Sequence, residues 1–219
     1  TLMTFIAPVK FAIDLLAVLL LALGIKGLSK VRSAREANRL AAIAMILAAF
    51  GVLINSEGTI GISSNSWIWI ICGTLIGGIL GGFTAKKVPM TAMPEIVALF
   101  NGCGGMSSLL VALGVALFPA TDGSDGGVTE IIRNLSIVVS LFVGAITFSG
   151  SIVAMAKLQG WLSTPPWTQS KARHLFNIFC AVIALVGGVY LSIDGQNGLF
   201  LIVVASSLLG IGVSLPIGG

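Results

Sequence analysis

The chain has 219 residues, of which 56% are hydrophobic and only 9% are charged, and its mean hydropathy is +1.06. Soluble domains are roughly one quarter charged, so this composition excludes a soluble globular protein and predicts a polytopic membrane protein. The net charge of +4 is small and dispersed, which argues against a nucleic-acid partner. Three cysteines lie at irregular spacing inside apolar stretches, so we expect buried thiols without a disulfide or metal site.

Seven apolar stretches approach or exceed the length of about 20 helical residues that crosses a hydrocarbon core. The sequence therefore predicts an all-α, polytopic transmembrane helix bundle in which residues 1–219 form one domain. The predicted spans cover about residues 8–28, 39–55, 67–84, 93–118, 130–156, 174–192 and 197–216.

The basic residues indicate how the bundle is oriented. Ten of the twelve lysines and arginines fall on the first, third and fifth connections: Lys26, Lys30, Arg32, Arg35, Arg39, Lys86, Lys87, Lys157, Lys171 and Arg173. Acidic residues dominate the other connections. The positive-inside rule therefore predicts an N-terminus outside and a C-terminus in the cytoplasm or matrix.

The third span carries a ridge of small residues, with Gly73, Gly77 and Gly81 at four-residue spacing. Such a ridge lets a neighbouring helix approach closely, so we predict a packing role for these glycines. The ridge is not a phosphate-binding loop, because no strand precedes it and no Gly-Lys-Ser/Thr follows.

The fourth span contains a polar residue far from its ends. Pro94 and Glu95 suit the first turn of a helix, where the missing N–H costs nothing and the dipole favours an anion. Asn101 lies about 10–12 Å past the start of the helix, close to the bilayer midplane. Its amide indicates either a hydrogen bond that only joins two helices or a part in an ion or proton path. The small residues beside it, which leave space for water or a neighbouring backbone, are Gly102, Gly104 and Gly105.

The fifth span has one polar or small face along its whole length. Its members recur every three or four residues: Arg133, Ser136, Ser140, Gly144, Thr147 and Ser151. We call this face the polar stripe. It is typical either of close helix packing or of the wall of a hydrated path, and an arginine at one end slightly favours the path.

Several chemical motifs are missing from the sequence. It contains no HExxH, no Cys-x-x-Cys, no Ser-His-Asp grouping and no GxGxxG after a predicted strand. We therefore expect no catalytic residue, no bound metal and no nucleotide site in this chain.

Three segments carry a resemblance to a known family. They are Gly27-Leu28-Ser29-Lys30, then Ala85-Lys86-Lys87-Val88 with Met93-Pro94-Glu95 and Asn101, and then 144–154 with Lys157-Leu158. In this order and spacing they resemble the membrane part of the β subunit of proton-translocating NAD(P) transhydrogenase, from about residue 9 to the end. The predicted orientation agrees with that of the family.

The resemblance implies an energy-coupling enzyme in which hydride passes from NADH to NADP⁺ between two soluble domains while protons move inward through the bundle. Family members have histidine or asparagine at the position of Asn101, and where it is asparagine a partner α-subunit helix supplies the histidine. Thr147 and Ser151 match the family's polar stretch. With Asn101, Ser140 and Glu95 they form the expected proton path.

The resemblance also implies what this chain lacks. An NADP(H)-binding domain is expected after residue 219 and an NAD(H)-binding domain on the α side, so this chain alone would bind neither cofactor. The expected partners are the α subunit, the NADP(H)-binding domain and lipid, in a dimer of αβ units in the bacterial inner membrane, or in the mitochondrial inner membrane of a eukaryote. The alternative is a small polytopic transporter or a membrane scaffold without a redox role.

Overall fold

The computed structural model describes residues 2–28, 33–59, 64–118, 128–194 and 196–216. Regular structure in these ranges is entirely helical, which confirms the predicted fold class. The seven α-helices are α1 (Leu2–Leu28), α2 (Ala34–Thr59), α3 (Ser64–Lys87), α4 (Met93–Leu117), α5 (Val128–Leu158), α6 (Lys171–Asp194) and α7 (Gln196–Ser214). Short 3₁₀ turns precede α4 and α6, at Met90–Ala92 and Pro166–Gln169.

Four helical segments in the described part are long and apolar enough to cross a bilayer: Trp67–Lys87, Met93–Leu117, Ile131–Leu158 and Lys171–Leu191. Gly198–Ser214 is a shorter apolar helix. These lengths agree with a helical membrane bundle, while the assignment of the two sides of the membrane stays a prediction.

The chain divides into two compact units, and the first comprises residues Thr1–Thr84. In this unit α1 and α2 pack against each other through small residues. A Cβ built at Gly24 would stand 3.2 Å from the Cβ of Ala41. Further along the pair, a Cβ at Gly51 would stand only 2.5 Å from Oδ1 of Asp14, so the glycine makes room for this carboxylate.

The second unit comprises Ala85–Gly219 and contains α4 to α7. Its helices are not arranged in chain order. Helix α5 packs against α4 on one side and α7 on another, whereas α6 packs mainly on α7 and barely touches α5. The spatial order is therefore α4–α5–α7–α6, with α5 and α7 in the middle.

The buried core of the second unit follows from this order. It draws one or more small or aliphatic residues from each helix: Leu109, Ala112, Leu141, Ala145, Ala184, Leu199, Ile202 and Ala205. Leu141 and Ala145 of α5 are fully buried. The face of α5 that carries them is therefore fixed against its neighbours, and this fixes the direction of the polar stripe as well.

Candidate functional site

Helices α4 and α5 touch backbone to backbone at two glycines. A Cβ at Gly105 would stand 2.9 Å from the carbonyl oxygen of Gly144 and 2.7 Å from the amide nitrogen of Phe148. A Cβ at Gly144 would likewise stand 2.9 Å from the carbonyl oxygen of Gly105. Because neither position has room for a side chain, glycine at both is what lets these helices approach so closely.

One turn from this contact, Asn101 of α4 and Ser151 of α5 are joined by a hydrogen bond. The Asn101 Nδ2 donates to the Ser151 Oγ over 2.8 Å. Ser151 is buried, and Gly102 lies beside it with its Cβ position 3.2 Å from the serine Cβ. The midspan amide therefore has a partner within the chain, and that partner belongs to the polar stripe.

A cavity of about 320 Å³ opens next to this pair. Asn101, Gly104 and Ser108 line it from α4, and Gly144 and Thr147 line it from α5. Gly104 has no atom within 4 Å of its Cβ position, so this side of the cavity is open. Polar groups at Asn101, Ser108 and Thr147 give water several possible partners there.

A second cavity, of about 410 Å³, continues from Ser108 along the same two helices. It is lined by the rest of the stripe, Arg133, Ser136 and Ser140, together with Ser107 of α4. The Ser136 Oγ donates to its own helix at the carbonyl of Ile132 over 2.7 Å, which leaves its lone pairs toward the cavity.

The polar stripe therefore faces α4 along its whole length, from Arg133 to Ser151. Eighteen residues of helix rise about 27 Å, which is close to the hydrocarbon thickness of about 30 Å. Gly144, in the middle of the stripe, serves packing, and Arg133, Ser136, Ser140, Gly144 and Thr147 line the two cavities. The packing alternative drawn from the sequence is therefore seen at Gly144, while the hydrated path stays a prediction.

The chemistry of this site is that of hydrogen bonding without acid–base exchange. Amide and hydroxyl side chains neither gain nor lose protons near neutral pH. The groups that line the two cavities can therefore order water and pass hydrogen bonds along. A group that takes up and releases a proton has to come from outside these linings.

The remaining predicted residues fall elsewhere. Glu95 stands in the first turn of α4, about 9 Å along the axis from Asn101, and lines neither cavity. Within the described residues it makes no hydrogen bond or ion pair. Among the three glycines next to Asn101, Gly102 and Gly105 pack against α5 whereas Gly104 does not.

The ridge on α3 has no neighbour in the described residues. Cβ positions at Gly73, Gly77 and Gly81 have no atom within 4 Å. A packing role for them therefore stays a prediction that needs another helix.

Sequence reasoning missed Ser108, although a signal was present. Asn101, Gly105 and Ser108 are spaced by four and three residues, which places them on one face of α4. The prediction that the cysteines are buried is right for Cys180 and wrong for Cys72 and Cys103, which are exposed. In the described part of the chain, no group of three or more His, Cys, Asp or Glu side chains is arranged to hold a metal.

Comparisons with known proteins agree on one family. The family model described as NAD(P) transhydrogenase beta subunit matches residues 10–219. Two sequences named NAD(P) transhydrogenase subunit beta, both from Rhodospirillum rubrum, are each 33% identical to this chain over 206 residues. The matched region covers 94% of this chain and 43% of each relative, so the chain spans less than half the length of these relatives.

Proposed function

Since the chain belongs to the NAD(P) transhydrogenase beta subunit family, we propose that it forms the membrane proton-translocating part of such an enzyme. In the complete reaction NADH gives a hydride to NADP⁺, which yields NAD⁺ and NADPH. Protons moving inward through the bundle drive this transfer. The α4–α5 site is the proposed route for the protons through this chain.

The observation that carries the proposal is the Asn101–Ser151 hydrogen bond, with a cavity beside it that Asn101, Ser108 and Thr147 help to line. An amide that only joined two helices would need one partner and no adjoining space. Here the space continues along the polar stripe toward Arg133. A helix-joining role for Asn101 alone gives no reason for hydroxyl groups along about 22 Å of one face, from Ser136 to Ser151.

The residues of the site act on water and not on the proton itself. With Nδ2 committed to Ser151, the Asn101 Oδ1 is left to accept a hydrogen bond from water. The Ser151 hydroxyl retains its own proton to donate. Thr147 and Ser140 extend this set of donors and acceptors along α5. Glu95, at the start of α4, lies beyond the two cavities, and its part in the route is proposed from the family resemblance alone.

The group that titrates is proposed to come from a helix of the α subunit. It would be placed on the open side of the cavity, next to Gly104, where the chain itself leaves the Cβ position clear. The NADP(H)-binding domain is a further proposed partner. NAD(H) and NADP(H) would be held by the soluble parts of the complex, because this sequence has no glycine-rich dinucleotide motif. We place the complex, as a dimer of αβ units, in a bacterial inner membrane, or in the mitochondrial inner membrane if the source is eukaryotic.

The test is Asn101→Leu in the complete complex, assayed in inverted membrane vesicles energised by respiration. NADPH formation from NADH should fall to the rate that the unmodified complex shows when a protonophore collapses the gradient. The matched control is Asn134→Leu, because Asn134 lies on α5 in an apolar groove with α6, away from the stripe.

Normal gradient-driven NADPH formation in the Asn101→Leu complex would remove Asn101 from the mechanism. Equal loss in the Asn134→Leu complex would show a general packing effect instead of a defect in the path. The alternative of an unrelated transporter or scaffold is not favoured, because both the family model and the relatives belong to the transhydrogenase beta subunit.

A further inference from the structure

Helix α5 uses a second face to hold α7. A Cβ at Gly150 would stand 2.7 Å from the Ser214 Oγ, and a Cβ at Gly210 would stand 3.0 Å from the Cα of Ile146. The two helices are thus in close contact next to Ser151, which points to α4. Any shift of α5 that alters the Asn101–Ser151 pair would also move the surface on which the last part of α7 rests.

Lys157 lies two turns beyond Gly150 on this second face. Its Nζ donates to the Thr164 Oγ1 over 2.7 Å and also donates to the carbonyl oxygen of Leu215. One ammonium group therefore joins α5, the connection to α6 and the end of α7. Lys157 is half-buried, so these bonds are partly shielded from water.

The end of α5 does not need the Lys157 side chain for itself. Gly160 has φ +74°, its N–H donates to the Lys157 carbonyl over 2.9 Å, and the Trp161 N–H donates to the Ala156 carbonyl over 2.9 Å. This pair of bonds is a Schellman cap, which satisfies the last carbonyls of the helix. The Lys157 ammonium consequently bonds to groups outside α5, at Thr164 and Leu215.

The end of α7 does need a donor. Within the described residues, the last backbone bond at this end of α7 runs from the Leu215 N–H to the Ile211 carbonyl, and Pro216 has no N–H with which to continue it. The final carbonyls of a helix carry a partial negative charge that a nearby cation stabilises. Lys157 supplies both the charge and the hydrogen bond.

We propose that Lys157 is a positioning residue that couples the α4–α5 site to the chain leaving α7. It would hold the Leu215 end of α7 to α5, so that a change at Asn101 and Ser151 reaches the segment after Leu215. This proposal rests on the proton-translocating function proposed above. The role proposed for Lys157 is to transmit a structural change from the proton path to the end of α7, since Lys157 lines neither of the two cavities.

The experiment uses Lys157→Met in the complete complex, with Lys157→Arg as the conservative variant. The matched control is Lys171→Met, which removes an equal charge from the exposed first turn of α6. The measured quantity is the ratio of NADPH formation with the gradient to NADPH formation with a protonophore. Coupling between two sites is commonly worth about 5-fold to 150-fold in an equilibrium.

We expect Lys157→Met to lower this ratio by about fivefold or more, with the protonophore rate unchanged. Lys157→Arg should restore at least half of the ratio, because arginine keeps the charge and the donors. Should the methionine variant fail to assemble, Thr164→Val carries the test. It removes the acceptor of one charge-assisted hydrogen bond and leaves the charge and the bond to Leu215, so a loss of about twofold to tenfold is expected.

An unchanged ratio in Lys157→Met, or in Thr164→Val where that variant is used, overturns the proposal. An equal loss of the ratio in Lys171→Met also overturns the proposal, because it would indicate a general effect of removing a positive charge from this end of the helices. The two proposals fail differently. If Asn101→Leu lowers the ratio and Lys157→Met does not, only the coupling role of Lys157 is wrong; if Asn101→Leu leaves it unchanged, the path itself is wrong.

Discussion

Replacing Gly105 with alanine tests whether the backbone contact between α4 and α5 holds the Asn101–Ser151 pair together. The new Cβ would stand 2.7 Å from the Phe148 nitrogen and 2.9 Å from the Gly144 oxygen. Both are backbone atoms and cannot rotate away. Gly114→Ala is the matched control, because Gly114 is on the same helix, is exposed, and has no atom within 4 Å of its Cβ position.

The size of the effect follows from these distances. Ordinary van der Waals contact begins at 3.4 Å, so the helices must separate by about 0.7 Å near Gly105 (3.4 minus 2.7). If the same movement reaches Asn101 one turn away, its 2.8 Å bond to Ser151 lengthens to about 3.5 Å, the limit for a hydrogen bond. Overpacking of this kind costs about 1–3 kcal/mol.

The assay is the free energy of unfolding in mixed detergent micelles, measured for both variants. Alanine gains about 1 kcal/mol over glycine in a helix, and this gain is common to the two substitutions. The difference between the free energies of unfolding of the two variants therefore reports only the cost of the close contact at Gly105. We expect Gly105→Ala to be less stable than Gly114→Ala by about 1–3 kcal/mol. Equal stability of the two variants would refute the claim that the contact at Gly105 is rigid.

Three further predictions use the same unfolding assay. Ser151→Ala leaves the Asn101 amide without its acceptor and should cost about 1–2 kcal/mol; an unchanged value would mean that the bond contributes nothing. Gly104→Leu should leave stability unchanged or raise it by up to about 1 kcal/mol, because leucine is the better helix former, yet weaken co-purification of the α subunit, and full retention would place the partner elsewhere. Gly160→Ala forces a side chain into the left-handed region and should cost about 1–2 kcal/mol; a variant as stable as the parent would contradict the capping role.

The sequence was sufficient to predict the face of α5 that matters. A period of three and four residues places Arg133 to Ser151 on one side of a helix whatever its neighbours are, and the polar members of that face have few stable places in a membrane. The midspan position of Asn101 followed from rise per residue in the same way. Helix geometry thus predicted the polar face and the depth of Asn101, while the family resemblance joined Asn101 and Ser151 in one expected path.

What could not be predicted depends on how helices meet. Gly104 and Gly105 are equivalent in the sequence, but a rotation of 100° per residue turns one toward α5 and the other into open space. From the sequence, Lys157 is interpreted as a topological charge and as part of the family resemblance, without any indication of its contact with Leu215, which is 58 residues away in the chain. No local sequence pattern indicates that α5 packs against α7 and not against α6.

The arrangement α4–α5–α7–α6 has a consequence for the biogenesis of the protein. A ribosome delivers α6 to the membrane directly after α5, at a moment when the helix that α6 mainly contacts has not yet been synthesised. We therefore expect α6 to lack its main packing partner until α7 emerges, and α6 and α7 to dock on α5 together as a hairpin. The close fit of Gly150 and Gly210 would then form late in the assembly of this unit.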